Sequence, residues 1–182
     1  MIRYKVVITG DKNTGKSMLT SRLSGKEFTK EYSTTIGVEF ESILLQNVGL
    51  KVHIWDLGGD YRFENIYTPY FRGVDIILFV YSIDSKESLL RLYEMYKKYK
   101  DNGAIKEQKI IVVCNKLDFI NDSNIELSDE GSKWAVSIDA GFISVSAKTN
   151  TNVDGLFKML LYEKISGNQK TENKIWRSCN LL

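Results

Sequence analysis

The sequence predicts a doubly wound α/β domain: a mixed six-stranded sheet, mostly parallel with one antiparallel edge strand, and helices on both faces. Three observations carry this expectation. Strand-like and helix-like periods alternate along the chain. Residues 76–82 and 110–114 are unbroken apolar runs, the pattern of strands covered on both faces of a parallel sheet. Residues 38–46 and 50–55 read as strands separated only by the tight turn Asn47-Val48-Gly49, which predicts an antiparallel hairpin.

Taken in order, residues 2–9 (IRYKVVIT) form a first strand rich in β-branched side chains, and 10–15 a turn. Residues 16–24 read as a helix with Leu19 and Leu23 on one face. Residues 25–37 have no clean period and are expected to loop. After the hairpin, glycine, proline and polar residues between 58 and 73 predict a second long loop. Leu89, Leu92, Tyr93, Tyr96 and Tyr99 recur at helical spacing after the strand 76–82. Ser128 is placed as the cap of a helix carrying Trp134, Ala135 and Ile138. A short strand at 142–145 and a last amphipathic helix with Val153, Leu156, Phe157, Leu160 and Leu161 complete the domain. From Gly167 the chain turns polar and reads as a flexible tail, so the domain is placed at 1–166 and the tail at 167–182.

Composition excludes several classes. The 182 residues suit one domain with a single core. With 25 basic and 23 acidic side chains the net charge is +2, and no basic block argues for a nucleic-acid partner. No apolar run approaches the roughly 20 residues of a membrane span. No secretory or transit signal is read at the N-terminus, and Ile2 excludes myristoylation at that position. Two cysteines do not make a disulfide framework; Cys114, ending IIVVC, is expected to be a buried thiol. His53, the lone histidine, is read as a solvated strand residue, and no His/Cys cluster has metal-site spacing.

The stretch Gly10-Asp-Lys-Asn-Thr-Gly15-Lys16-Ser17 lies between a strand and a helix, the context a phosphate-binding loop requires. Its glycines let successive backbone N–H groups turn inward to phosphate oxygens, and the helix N-terminus adds a positive dipole. Lys16 supplies a compact charge for the β- and γ-phosphates, and Ser17 a hydroxyl for Mg²⁺. Asp56 ends a strand and can hold a water on that ion. Gly59, which has no Cβ, can bring its N–H close to a γ-phosphate. Thr35 has a hydroxyl to complete the metal shell, and Phe28 can lie edge-on to a base. Asn115-Lys116-Leu117-Asp118 follows a buried strand. A carboxylate there accepts from the N1–H and exocyclic amine of guanine, donors that adenine does not present in that geometry. Ser146-Ala147-Lys148 follows the next strand and can bring a backbone N–H to the guanine carbonyl.

With these motifs in order, the chain resembles a small GTPase of the Ras superfamily, a P-loop NTPase, from residue 2 to about 166. TTIGVEF, IWD, YRF and NKLD are most similar to the Rab branch, and DLGG echoes the Arf branch. The resemblance implies nucleotide contacts from Asp11, Lys12, Asn13, Thr14, Gly15, Lys16, Ser17, Met18, Phe28, Tyr32, Thr35, Gly59, Asn115, Lys116, Asp118, Ser146, Ala147 and Lys148. It implies Mg²⁺ ligation by Ser17, Thr35 and Asp56, and GTP hydrolysis to GDP involving Lys16, Thr35, Gly59 and Asp60. It also implies a monomeric molecular switch in vesicle trafficking or signalling. Effectors, exchange factors and GTPase-activating proteins would read residues 28–38 and 58–72.

Two departures bear on catalysis. The family's residue after Gly59 is a glutamine that orients the attacking water; here it is Asp60, one methylene shorter and anionic. Lys12 stands where the family has a small residue. Either the two pair across the γ-phosphate, slowing intrinsic hydrolysis and partly excluding an arginine finger, or both side chains point to solvent and do little. The alternative to an enzymatic switch is therefore a hydrolysis-deficient binding scaffold. An ATPase or nucleotide kinase on the same loop is disfavoured by Asp118 and the following Ser-Ala-Lys.

The chain ends Ser178-Cys179-Asn180-Leu181-Leu182, which fits geranylgeranylation of Cys179, although Asn180 is not the preferred aliphatic neighbour. A single prenyl chain anchors only marginally. Lys170, Lys174 and Arg177 are a dispersed second signal, and Trp176 adds interfacial affinity. The expected location is cytoplasmic, moving to the cytosolic face of a membrane after prenylation.

Overall fold

The computed structural model describes residues 2–28, 35–46 and 49–165. Tyr32, most of the turn at 47–49, Trp176, Cys179 and the tail 167–182 lie outside the described residues. The element order is β1 (Ile2–Thr9), α1 (Lys16–Leu23), β2 (Val38–Leu45), β3 (Leu50–Leu57), α2 (Glu64–Tyr67), β4 (Ile76–Ser82), α3 (Lys86–Asp101), β5 (Lys109–Asn115), α4 (Ile125–Ser137), β6 (Gly141–Ser144) and α5 (Val153–Ile165). The six strands form one sheet in the order β2-β3-β1-β4-β5-β6. β2 and β3 are antiparallel, and β3, β1, β4, β5 and β6 pair in parallel. The predicted sheet, with β2 as its antiparallel edge, is the one found.

Side-chain alternation sorts the core into two layers. Tyr4, Val6 and Ile8 of β1 and Ile76, Leu78 and Val80 of β4 meet Leu19, Leu23, Leu156 and Leu160 of α1 and α5. Val7, Ile77, Phe79 and Tyr81 point the other way, onto Leu89, Leu92, Met95 and Tyr99 of α3. Every residue of β4 is buried, which is why its sequence has no polar alternation. The strands converge so that β1, β3, β4 and β5 all end at one edge of the sheet, and the predicted motifs lie on the loops leaving that edge.

Several local expectations need correction. Residues 58–73 are not one open loop: 3₁₀ turns at Tyr61–Phe63 and Thr68–Phe71 flank α2. Tyr67 and Phe71, four apart, are 0% and 2% exposed and seat these turns on α3. Pro69 falls in the first turn of its 3₁₀ segment, where a missing N–H costs nothing. α4 begins at Ile125 rather than at Ser128. Asn121 and Asn124 build the turn before it, the Asn124 Oδ1 accepting from the Asn121 N–H at 2.8 Å. The Ser128 hydroxyl instead meets that of Ser144 at 3.0 Å, tying α4 to β6. His53 is half-buried, its ring edge-on to Phe40 at 5.3 Å. Its Nε2 is buried without a hydrogen-bond partner, and burial, then Lys51 and Arg3, depress its pKa, favouring the neutral ring. Cys114 is the buried free thiol expected.

Candidate nucleotide-binding site

The loop between β1 and α1 is shaped by close backbone approaches. Gly10 has φ +150°, and a Cβ there would lie 2.0 Å from the Val80 carbonyl oxygen. Only glycine lets this turn lie against β4. Gly15 has φ +83°, with the Asn115 side-chain nitrogen 2.5 Å from where its Cβ would be. Inside the loop the Asp11 carbonyl accepts from the Lys16 ammonium at 2.6 Å and from the Thr14 hydroxyl at 2.9 Å. The Lys12 N–H donates to the Asp11 carboxylate at 2.8 Å. Lys16 is 6% exposed, and burial lowers its pKa to about 8 against the opposing pull of Asp56 and Asp11. A cation held on one carbonyl in a dry recess gains a stronger partner in a phosphate. Asn13 lies in the same loop with φ +62°.

Three oxygen donors collect beside Lys16. The Ser17 and Thr35 hydroxyls are 2.8 Å apart, although they come from α1 and from the segment before β2. Asp56, at the end of β3, is 1% exposed, and both its carboxylate oxygens are buried without a hydrogen-bond partner. Burial raises its pKa to about 6, against the pull of the Ser17 hydroxyl and Lys16. A buried carboxylate with unused lone pairs, beside two hydroxyls, fits a small hard cation such as Mg²⁺.

Gly59 closes this corner. A Cβ on it would lie 2.3 Å from the Lys12 backbone nitrogen and 2.6 Å from the Lys12 Cα. The Asp56-to-Gly59 turn thus rests directly on the phosphate loop. The Gly58 N–H donates to the Gly37 carbonyl at 2.8 Å, joining the turn to the segment carrying Thr35. Asp60 does not pair with Lys12. Its carboxylate caps the turn Tyr61–Phe63, accepting from the Arg62 N–H at 3.0 Å, and takes the Arg62 guanidinium at 2.9 Å through Nε and closer through Nη2. A two-residue separation makes this fork local and geometrically easy, whereas Lys12 adds only a weaker electrostatic pull. Arg62 holds the Asp60 carboxyl down to about 2.

At the other end, Asn115 joins two loops. It is 1% exposed; its Nδ2 donates to the Thr14 carbonyl at 2.8 Å, and its Oδ1 accepts from the Ala147 N–H at 3.2 Å. Lys116 adopts left-handed backbone angles (φ 62°, ψ 39°) and reaches Asp84 at 3.3 Å. Asp118 accepts from the Ser146 hydroxyl at 2.6 Å and pairs with Lys148 at 3.4 Å. The Ser146 oxygen in turn accepts from the Thr149 N–H at 3.1 Å. The structure therefore brings Asp11 to Ser17, Thr35, Asp56, Gly59, Asn115 to Asp118 and Ser146 to Lys148 to one edge of the sheet. Phe28 is half-buried, five residues after the end of α1. The Met18 side chain packs on the α1/α5 core layer.

Some supporting residues carry no motif. Arg22 donates to the Ala147 and Lys148 carbonyls at 2.8 and 3.1 Å, bracing their loop from the last turn of α1. Asp84 steadies Lys116. Their partners lie 125 and 32 residues away in sequence, so only the folded chain reveals them. Beside the site, Phe40, Trp55 and Tyr70 form an aromatic row with ring centres 4.9 and 5.5 Å apart.

Fold and loop geometry define a phosphate-loop protein whose Asn115–Asp118 and Ser146–Lys148 loops are tied to its phosphate loop. Comparison with known proteins narrows this class. The model of the Ras family matches residues 5–166. The chain is similar to Ras-related protein Rab-1 of Theileria annulata, 33% identical over 85% of this chain and 70% of that protein. It is also similar to GTP-binding protein ypt2 of Schizosaccharomyces pombe (32%, covering 97% and 88%) and Ras-related protein SEC4 of Saccharomyces cerevisiae (30%, covering 91% and 78%). The chain belongs to the Ras family of small GTPases, in its Rab branch. Among the described residues no helix is long and apolar enough to cross a membrane.

Proposed function

We propose that this GTPase is a vesicle-trafficking switch that binds GDP and GTP with Mg²⁺ and hydrolyses GTP slowly. Asn115 carries the reading: one buried amide fixes the phosphate loop and the Ser146-Ala147-Lys148 loop relative to each other. Backbone N–H groups of residues 11–18 serve the phosphates, and Lys16 exchanges its carbonyl partner for them. Asp118 accepts from the guanine edge, and Ala147 offers its N–H to the guanine carbonyl. Phe28 and Tyr32 flank the base and ribose. Ser17, Thr35 and Asp56 hold Mg²⁺, which when bound neutralises phosphate charge. Thr35 and the Gly59 N–H recognise the γ-phosphate, and Asp60 takes the water-facing position. Effectors and regulators dock on 28–38, 58–72 and the aromatic row of Phe40, Trp55 and Tyr70. The domain spans 1–166 and acts as a monomer in the cytosol. The tail 167–182, prenylated at Cys179, brings it to the cytosolic face of a membrane.

A second reading, a hydrolysis-deficient scaffold, is favoured by one observation: the Asp60 carboxylate is engaged by Arg62. A group used as a cap is not free to orient water. Single-turnover GTP hydrolysis decides between them. Asp60→Gln is expected to raise the rate about tenfold or more, the size of a restored positioning group. Absence of turnover in the wild type, with or without an activating protein, supports the scaffold. An Asp60→Gln rate equal to that of the wild type refutes the role given to Asp60.

A further inference from the structure

We infer that the open face of β2, β3 and β1 below the aromatic row docks an extended acidic segment of a partner protein, with Arg3, Lys5 and Lys51 meeting its carboxylates. This goes beyond the docking proposed for the nucleotide-facing segments, because three strands build the surface and none of the nucleotide groups is used. Register places it side chain by side chain. Phe40 pairs with Trp55, Ser42 with His53 and Leu44 with Lys51 across β2 and β3. Val7, Lys5 and Arg3 of β1 stand opposite Trp55, His53 and Lys51. The face therefore descends in rows: the aromatic row, then Ser42, His53 and Lys5, then Leu44, Lys51 and Arg3.

The two lower rows carry cations and no carboxylate. Strand alternation turns Glu39 and Glu41 of β2 to the opposite face, with Ile43 and Leu45, and there Glu41 pairs with Lys26. Asp75, just before β4, accepts from the Lys5 N–H at 2.9 Å, across β1 from Lys51. Arg3 is exposed and Lys51 half-buried, and neither makes an ion pair among the described residues. Both charges bear on the His53 ring, which burial and then Lys51 and Arg3 keep neutral. Lys5 is fixed between the rows: its ammonium donates to the Arg72 carbonyl at 2.8 Å and lies 5.4 Å from the centre of the Trp55 ring. Apolar groups flank the cations, with Phe40 51% and Leu44 45% exposed on the edge strand.

Charge selects the occupant. An extended chain laid along the strands offers every second side chain to the rows, at about 6.6 Å spacing. An apolar residue over Phe40 and Trp55, with acidic residues two and four positions on, matches the rows in order. A carboxylate between Lys51 and Arg3 gives both cations a partner, and one beside His53 favours the protonated ring. An anionic membrane fits less well, since basic segments that hold such surfaces cluster roughly four to eight cations, more than these rows supply. The chain's own tail has Lys170, Lys174 and Arg177 against Glu172, which is the wrong sign.

His53 is the sole histidine, so its ring-proton resonances report on this face directly. Proton NMR of the full chain, titrated at low salt with the synthetic peptide acetyl-Ser-Phe-Ser-Glu-Ser-Glu-Ser-amide, tests the proposal. The His53 resonances are expected to shift saturably, with a dissociation constant below about 1 mM. The titration midpoint of the ring should rise with bound peptide, and salt should weaken binding. The peptide with glutamine for glutamate should bind about tenfold or more weakly, as should the Glu peptide to Lys51→Glu or Arg3→Glu. Lys133→Glu, the same charge reversal at an exposed position of α4, should stay within about twofold. Should Lys51→Glu fail to fold, Arg3→Glu at its exposed position decides. No shift with the peptide, equal binding of the glutamine peptide, or wild-type binding by the folded charge reversals overturns the proposal. A shift with phosphatidylserine vesicles alone assigns the face to a lipid headgroup, and one with rising protein concentration alone assigns it to a second copy; either overturns it. Nucleotide enters none of these readouts, so failure here leaves the GTPase reading standing.

Discussion

Replacing Asn115 by alanine tests the linkage of the two nucleotide loops. Asn115 makes two buried hydrogen bonds, to the Thr14 carbonyl at 2.8 Å and from the Ala147 N–H at 3.2 Å. Alanine removes both and leaves a carbonyl and an amide unpaired in a site that is 1% exposed. Each orphaned group costs about 1–3 kcal/mol, hence about 2–6 kcal/mol together. If that cost falls on the bound geometry, nucleotide release accelerates by roughly thirtyfold to ten-thousandfold. The assay is release of a fluorescent GDP analogue chased with excess GDP, with circular dichroism confirming that the variant is folded. Asn115→Asp separates the two bonds, since a carboxylate can accept from Ala147 but cannot donate to Thr14. It should fall at least as far as alanine, because it sets an anion against a carbonyl. Release from Asn115→Ala within about threefold of wild type would refute the reasoning, since even one lost buried bond should exceed that.

Other expectations follow from the same geometry. Gly59→Ala places a methyl 2.3 Å from the Lys12 backbone nitrogen. Overpacking of about 1–3 kcal/mol should weaken a GTP analogue about tenfold or more, measured by titration calorimetry. Inosine nucleotides lack the exocyclic amine that Asp118 is proposed to accept, and should bind about ten- to a hundredfold more weakly than guanine nucleotides in competition. Chelating Mg²⁺ should speed GDP release from the wild type. Asp56→Asn, which loses the buried anion, should release GDP fast with or without the chelator; a retained chelator effect contradicts the role given to Asp56.

The sheet was legible because its signals are physical requirements. β4 could be read from its unbroken apolar run because both faces are covered, and the hairpin of β2 and β3 from the short gap between two strand patterns. The phosphate loop was legible because Gly10 and Gly15 answer to steric contacts with Val80 and Asn115 that allow no side chain. Residues 61–71 were misread because a proline and dispersed polar residues masked the Tyr67 and Phe71 spacing. Their order comes from tertiary contacts with α3, which local propensity does not contain. The start of α4 was misplaced because Ser128 has cap chemistry but spends its hydroxyl on Ser144. Asp60 departs from the family's glutamine in the sequence itself, but the partner it takes in the structure is not Lys12. Arg62, two residues on, wins by proximity over a lysine from another loop. Arg22 and Asp84 carry no sequence signal, since each acts on a distant segment.

The most direct measurement of the central claim is the identity of the nucleotide that the purified protein retains. Protein prepared with Mg²⁺ is denatured, its released ligand separated by chromatography, and its affinity measured by competition. The account expects GDP or GTP at near one equivalent, held with a dissociation constant below about 1 µM and displaced by guanine but not adenine nucleotides. An empty protein that fails to bind GDP or GTP at that concentration, or one that binds ATP equally well, contradicts it.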